Sequence, residues 1–78
     1  MYRPDILFKR ENPDAGIIIE LKKADSLADL DNKCEKALVQ IHECRYEEAL
    51  QNEGWTDIWL YGIAFYKKRC RVMVEKGA

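Results

Sequence analysis

Gly16-Ile17-Ile18-Ile19-Glu20-Leu21-Lys22 is the stretch that decides the fold. Three consecutive isoleucines favour extended backbone. Apolar residues fall on both pleat faces, as expected of a central strand in a covered sheet. Glu20 and Lys22 are two residues apart, so they emerge from the same face. They interrupt an otherwise apolar run, and buried charges need a partner or a metal.

Upstream, Pro4-Asp5-Ile6-Leu7-Phe8-Lys9 reads as a short strand entered through proline. Glu11-Asn12-Pro13-Asp14-Ala15-Gly16 reads as a dense turn cluster. The first third is therefore a hairpin. Downstream, Asp25 or Ser26 is a good N-cap, with acids in the turns that follow. Leu27, Leu30, Cys34, Ala37, Leu38 and Ile41 recur at helical spacing and predict an amphipathic helix to about Cys44. Asp29 and Lys33 form an i,i+4 pair on its wet side. A second short helix, or a bent continuation, takes Arg45 to Glu53, with Gly54 as its C′ residue.

Asp57 to Tyr66 reads as a long strand. One face carries Ile58, Leu60, Gly62, Ala64 and Tyr66; the other carries Trp59, Tyr61, Ile63 and Phe65. Lys67-Lys68-Arg69 is a turn, and Cys70 to Glu75 returns as a strand. The order is β-β-α-(α)-β-β, an α/β chain forming one domain over residues 1–78. The passage from Ile17 to Phe65 is long enough for a right-handed crossover, which makes those two strands parallel. The crossover helices cover one sheet face. A partner chain, expected to be a second copy, covers the other.

Length and composition bound the answer. Seventy-eight residues make one small domain. Hydrophobic content of 47% and charged content of 35% describe a globular rather than a disordered chain. No apolar run approaches the ~18–20 residues that span a membrane. Met1-Tyr2-Arg3-Pro4-Asp5 has no signal-peptide apolar region. Cys34, Cys44 and Cys70 form no CxxC pair, which points to a reduced, cytoplasmic protein. Residues 25–57 hold nine acids and three bases, and the rest hold five acids and ten bases. Such asymmetry either turns a basic surface to a polyanion or is ordinary scatter.

Asp5 begins one hairpin strand and Glu20 lies on the other. If the two lie near each other, their carboxylates can hold a hard cation such as Mg²⁺. Lys22 beside them could orient an attacking water and offset charge on a phosphate. Glu and Lys also alternate on many ordinary wet strands. Lys67, Lys68, Arg69 and Arg71 either grip phosphate or are solvated. Trp55 and Trp59 read mainly as packing residues, as does Tyr46. His42 and Cys44 make no zinc set, since four ligands are wanted.

Pro4-Asp5-Ile6-Leu7 with Gly16-Ile17-Ile18-Ile19-Glu20-Leu21-Lys22 resembles the PD and (D/E)XK signatures of the PD-(D/E)XK nuclease superfamily. The likeness continues through Ala37-Leu38-Val39-Gln40-Ile41, Tyr46 and Tyr61-Gly62-Ile63-Ala64-Phe65-Tyr66. Together these resemble a bacterial branch in which such a domain follows an ATPase-like domain. The resemblance implies a restriction-endonuclease-like fold and Mg²⁺-dependent (or Mn²⁺-dependent) hydrolysis of DNA. It implies metal binding by Asp5, Glu20 and the Leu21 carbonyl, and a catalytic role for Lys22. It puts Gln40 where related nucleases carry a glutamine near the active site. By the helical wheel Gln40 lies at the edge of the apolar stripe, reaching inward or solvated.

Family members usually begin with a helix, often carrying another acid, and a further strand before the PD motif. Here Met1 stands four residues before Asp5, and Tyr2 sits where a small residue is common. The core is therefore expected to be partial. The alternative reading is a truncated, catalytically silent copy serving as a homodimeric binding module.

Overall fold

The computed structural model describes residues 5–11 and 14–77. Its elements are β1 (Ile6–Glu11), β2 (Asp14–Lys23), a 3₁₀ turn (Leu27–Asp29), α1 (Leu30–Glu43), α2 (Tyr46–Asn52), β3 (Asp57–Tyr66) and β4 (Arg69–Lys76). The strands form one mixed sheet in the order β1-β2-β3-β4. β2 pairs antiparallel with β1 and parallel with β3, and β4 returns antiparallel to β3. This is the expected α/β, restriction-endonuclease-like order of elements, with a parallel crossover at its centre.

The hairpin runs further than its sequence suggests. The β1–β2 register extends from Ile6 opposite Ile19 to Glu11 opposite Asp14. Asp14, Ala15 and Gly16 therefore belong to β2, not to a turn. Gly16 is buried on the helix side, beneath Leu50. The connection shrinks to Asn12-Pro13, which, like Pro4 and Tyr2, lies outside the described residues.

The start of α1 also departs from expectation. Neither Asp25 nor Ser26 caps it. Leu27–Asp29 forms a 3₁₀ turn instead, and Ser26 precedes that turn without a side-chain cap. The Asp29 carboxylate accepts the Asp25 backbone N–H at 3.1 Å and the Asn32 amide at 3.2 Å. These bonds hold the loop before α1 in place, but the Asp29 carboxylate makes no capping bond to the first-turn N–H groups of α1. Leu27 is thereby carried out of the apolar stripe and is exposed. The Asp29–Lys33 pair is present at 3.9 Å. At the other end, Arg45 takes a left-handed backbone (φ 57°) that turns the chain from α1 into α2. Gly54, with φ 97°, ends α2 as expected.

The helices pack on one face of the sheet. Ile18, Ile41, Ile58 and Leu60 are completely buried there, with Leu50 and Tyr46. Each fully buried aliphatic side chain stabilises the fold by about 1.5–3 kcal/mol. Trp55 packs against the same cluster. Ala24, Leu30, Cys34 and Ala64 form a second cluster nearer the carboxyl ends of β2 and β3. Small residues let α1 come close there. A Cβ on Gly62 would lie 2.5 Å from the Cys34 carbonyl oxygen and 3.3 Å from Ala37 Cβ.

The opposite face is uncovered among the described residues, although β2 reads as a strand covered on both sides. Residues paired across the ladder share a face. The register therefore gathers Ile6, Ile19, Leu21, Tyr61, Val72 and Val74 there, with Trp59 and Phe65. The exposed members range from Ile6 at 37% to Phe8, opposite Ile17, at 56%. Among the described residues no helix is long and apolar enough to cross a membrane.

The close approach at Gly62 generates a stability prediction. Gly62→Ala pushes against backbone and costs about 1–3 kcal/mol. Gly16→Ala meets only the flexible end of Leu50, at 2.9 Å, and costs less. Urea denaturation of the two variants checks the order.

Candidate active site

Antiparallel register builds the site. Every β1–β2 pair follows the spacing that sets Ile6 opposite Ile19. Continued by one residue, it sets Asp5 opposite Glu20. The backbone bends at Asp5, where β1 begins. The Asp5 N–H donates to Glu20 Oε1 at 3.3 Å, and Asp5 Oδ2 accepts the Leu21 N–H at 2.7 Å. The two acidic side chains thus share one corner at the carboxyl end of β2.

In a strand, a residue's N–H and C=O point to the same neighbouring edge. The Leu21 N–H is aimed at Asp5, so its carbonyl faces the same corner. That edge carries no further rung beyond Ile6.

Glu20 is 2% exposed and is the buried charged residue of the core. α1 supplies its partner. Gln40 turns inward, donating from Nε2 to Glu20 Oε2 at 3.1 Å and accepting the Lys22 ammonium on Oε1. The amide orientation follows from chemistry: a carboxylate only accepts and an ammonium only donates. Gln40 therefore clamps Glu20 and Lys22 together from above. Asp5, Glu20, Lys22 and Gln40 are all brought into one place.

Burial, and then the nearby negative charge of Asp5, raise the Glu20 pKa above the usual carboxylate range. The Asp5 N–H bond and the charge of Lys22 oppose them more weakly. The corner is thus short of positive charge. Among the described residues no group of three or more His, Cys, Asp and Glu side chains could hold a metal. Asp5 and Glu20 stand as a pair.

Other candidate residues lie elsewhere. Arg71 is tied to Asp31 at 2.7 Å, and Lys67 lies 5.3 Å over the Tyr66 ring. Trp59 sits on the open sheet face under Lys76. His42 is exposed but bridges Glu47 and Glu75, linking α1, α2 and β4. Burial acts to lower its pKa, but the two carboxylate bonds outweigh that and raise it.

The sequence reading did not single out Lys36. With Lys33 it lines a cleft of about 490 Å³ that also contains Lys22 and Gln40. The available signal was spacing, since Lys36 stands four residues before Gln40 on one helix stripe.

A family model described as the PD-(D/E)XK nuclease superfamily matches residues 3–75. No curated protein and no solved structure matches the chain.

The raised Glu20 pKa fixes the sign of a pH effect. A folded-state pKa above the unfolded one favours the protonated native state. The ionised side chain therefore weakens the metal-free fold above that pKa, and the penalty fades as pH falls. In EDTA, Glu20→Gln melts higher than the native chain near pH 8, and the difference closes toward pH 4. Thermal melts across that range check it.

Proposed function

Because the chain belongs to the PD-(D/E)XK nuclease superfamily, we propose that the Asp5–Glu20–Lys22 corner hydrolyses DNA phosphodiesters with Mg²⁺ or Mn²⁺. The superfamily carries nuclease-type activity and generally uses divalent metal ions. The observation that supports the finer reading is the convergence of two carboxylates with an ammonium held by Gln40.

The donor set suits a hard cation. Asp5 and Glu20 supply carboxylate oxygens, and the Leu21 carbonyl faces the same edge. Mg²⁺ commonly needs only one or two protein carboxylates, the rest being water and substrate phosphate. A cation there would also offset the burial and the nearby Asp5 charge that raise the Glu20 pKa. Bound, such an ion would act as a Lewis acid on the phosphate and lower the pKa of a coordinated water.

The side chains divide the remaining work. Asp5 and Glu20 would hold the ion through their carboxylate oxygens. Lys22 presents its ammonium beside them, where it orients the attacking water and offsets negative charge growing on the phosphate. Gln40 is a positioning residue. It holds the Lys22 ammonium and a Glu20 oxygen in one geometry, as outer partners of a metal site commonly do.

The open sheet face favours a second reading, a homodimeric binding module. Strands about 4.8 Å apart, rising about 3.3 Å per residue, give a four-strand face a footprint of roughly 500 Å². Doubled across a two-fold axis, that reaches the lower bound of about 1,000 Å² for a specific interface. Aligned face-to-face packing of two copies would cover Tyr61, Ile63 and Val72. As a catalytically silent module this is an alternative to the nuclease reading, although the dimer face and the acidic corner lie on opposite sides of the sheet.

Cleavage of plasmid and single-stranded DNA with Mg²⁺ or Mn²⁺ tests the first reading. Lys22→Ala is expected to lower kcat by about 10²–10³-fold while retaining Mg²⁺ binding by calorimetry. Asp5→Ala is expected to lose both. Activity that survives either substitution excludes this site. Sedimentation velocity tests the second reading: a dimer is expected, with Ile63→Glu converting it to monomer. A native monomer overturns it.

A further inference from the structure

Next to the acidic corner, the cleft between β2 and α1 holds three ammonium groups, those of Lys22, Lys33 and Lys36, against the one carboxylate of Glu43. Lys33 makes only long ion pairs, at 4.0 Å to Asp25 and 3.9 Å to Asp29. Among the described residues Lys36 has no ion-pair partner. Lys36 is thus left facing a cleft that opens onto Lys22 and Gln40, with Lys33 beside it held only at long range by Asp25 and Asp29. A clustered positive lining of this kind attracts polyanions.

We propose that Lys33 and Lys36 form a phosphate-backbone subsite that leads a DNA strand along α1 into the corner. The inference rests on the nuclease reading for its substrate class. The geometry suits a strand. α1 rises about 1.5 Å per residue, so Lys33, Lys36 and Gln40 are spaced by roughly 4.5 and 6 Å along its axis. Measured along a duplex axis, roughly 10 Å corresponds to about three base-pair steps. Glu43, one turn beyond Gln40, repels phosphate and marks the far end of the track.

The basic turn between β3 and β4 is the competing surface. Its cleft is lined by Leu27, Tyr66, Lys67, Lys68 and Arg69 and contains none of the corner residues. Lys67 is occupied over Tyr66, and Arg71 by Asp31. The α1 cleft is favoured because it shares two side chains with the corner.

Fluorescence anisotropy of a labelled DNA strand in EDTA, between about 50 and 200 mM salt, tests the subsite without metal or turnover. Each lost lysine–phosphate contact reduces the slope of log K against log salt by about 0.7 for a single strand and about 0.9 for a duplex. Lys36→Ala is expected to lower the slope by about one unit and weaken binding by roughly fivefold to tenfold near 0.1 M salt. Lys33→Ala/Lys36→Ala is expected to lose twice the slope, and Lys36→Arg to restore it. Lys36→Ala is expected to leave the melting temperature unchanged.

An unchanged slope in Lys36→Ala overturns the proposal, as does absence of DNA binding by the native chain. A slope lost instead in Lys67→Ala/Lys68→Ala also overturns it and assigns the strand to the β3–β4 turn. Metal-dependent cleavage that persists with unchanged KM in Lys33→Ala/Lys36→Ala sinks the subsite and leaves the nuclease reading standing. DNA binding through these lysines in a chain that cleaves nothing does the reverse.

Discussion

A carboxylate at 2% exposure, facing a second carboxylate across one rung of a hairpin, is the constraint around which the site is arranged. Leaving Glu20 ionised there is unfavourable unless positive charge or donors converge on it. The chain supplies some of both. Asp5 offers a backbone N–H, Gln40 an amide, and Lys22 an ammonium held by the same glutamine. The remaining shortfall is visible in the raised Glu20 pKa, and a divalent cation would make it good. A site that is electrostatically unsatisfied alone and satisfied when loaded is what metal-dependent chemistry requires.

The fold delivers this corner through two separate close approaches. The first is the β1–β2 ladder, whose register leaves Asp5 opposite Glu20 just where the β1 rungs end. The second is α1, which lies against β3 because Gly62 offers no side chain to Cys34. That approach is what lets Gln40 reach across to β2. The carboxyl ends of parallel strands are where open α/β sheets place their ligands, and β2 and β3 form such a pair.

Much of this was legible in the residues. β3 runs from Asp57 to Tyr66 as read, because its apolar alternation is unbroken and Lys67-Lys68 ends it. The parallel crossover followed from the length of the helical passage. The hairpin was read too short because Pro13, Asp14 and Gly16 are turn-forming residues. Pairing with β1 and burial under Leu50 overrode that local preference. Asp25 and Ser26 look like caps of α1, but a 3₁₀ turn intervenes and the helix begins at Leu30, after Asp29. The side taken by Gln40 was not decidable from the wheel. Its direction depends on Glu20 and Lys22, which only the tertiary fold brings beneath it. Lys36 went unnoticed because an unpaired lysine on a helix carries no signal until the cleft beside it exists.

A divalent ion held between Asp5 and Glu20 would be visible by anomalous diffraction from crystals soaked in Mn²⁺. A strong peak is expected at about 2.0–2.3 Å from an oxygen of each carboxylate, within reach of the Leu21 carbonyl. A map with no peak at that corner, or with Mn²⁺ bound only at another cluster such as Glu47 and Glu75, would contradict it.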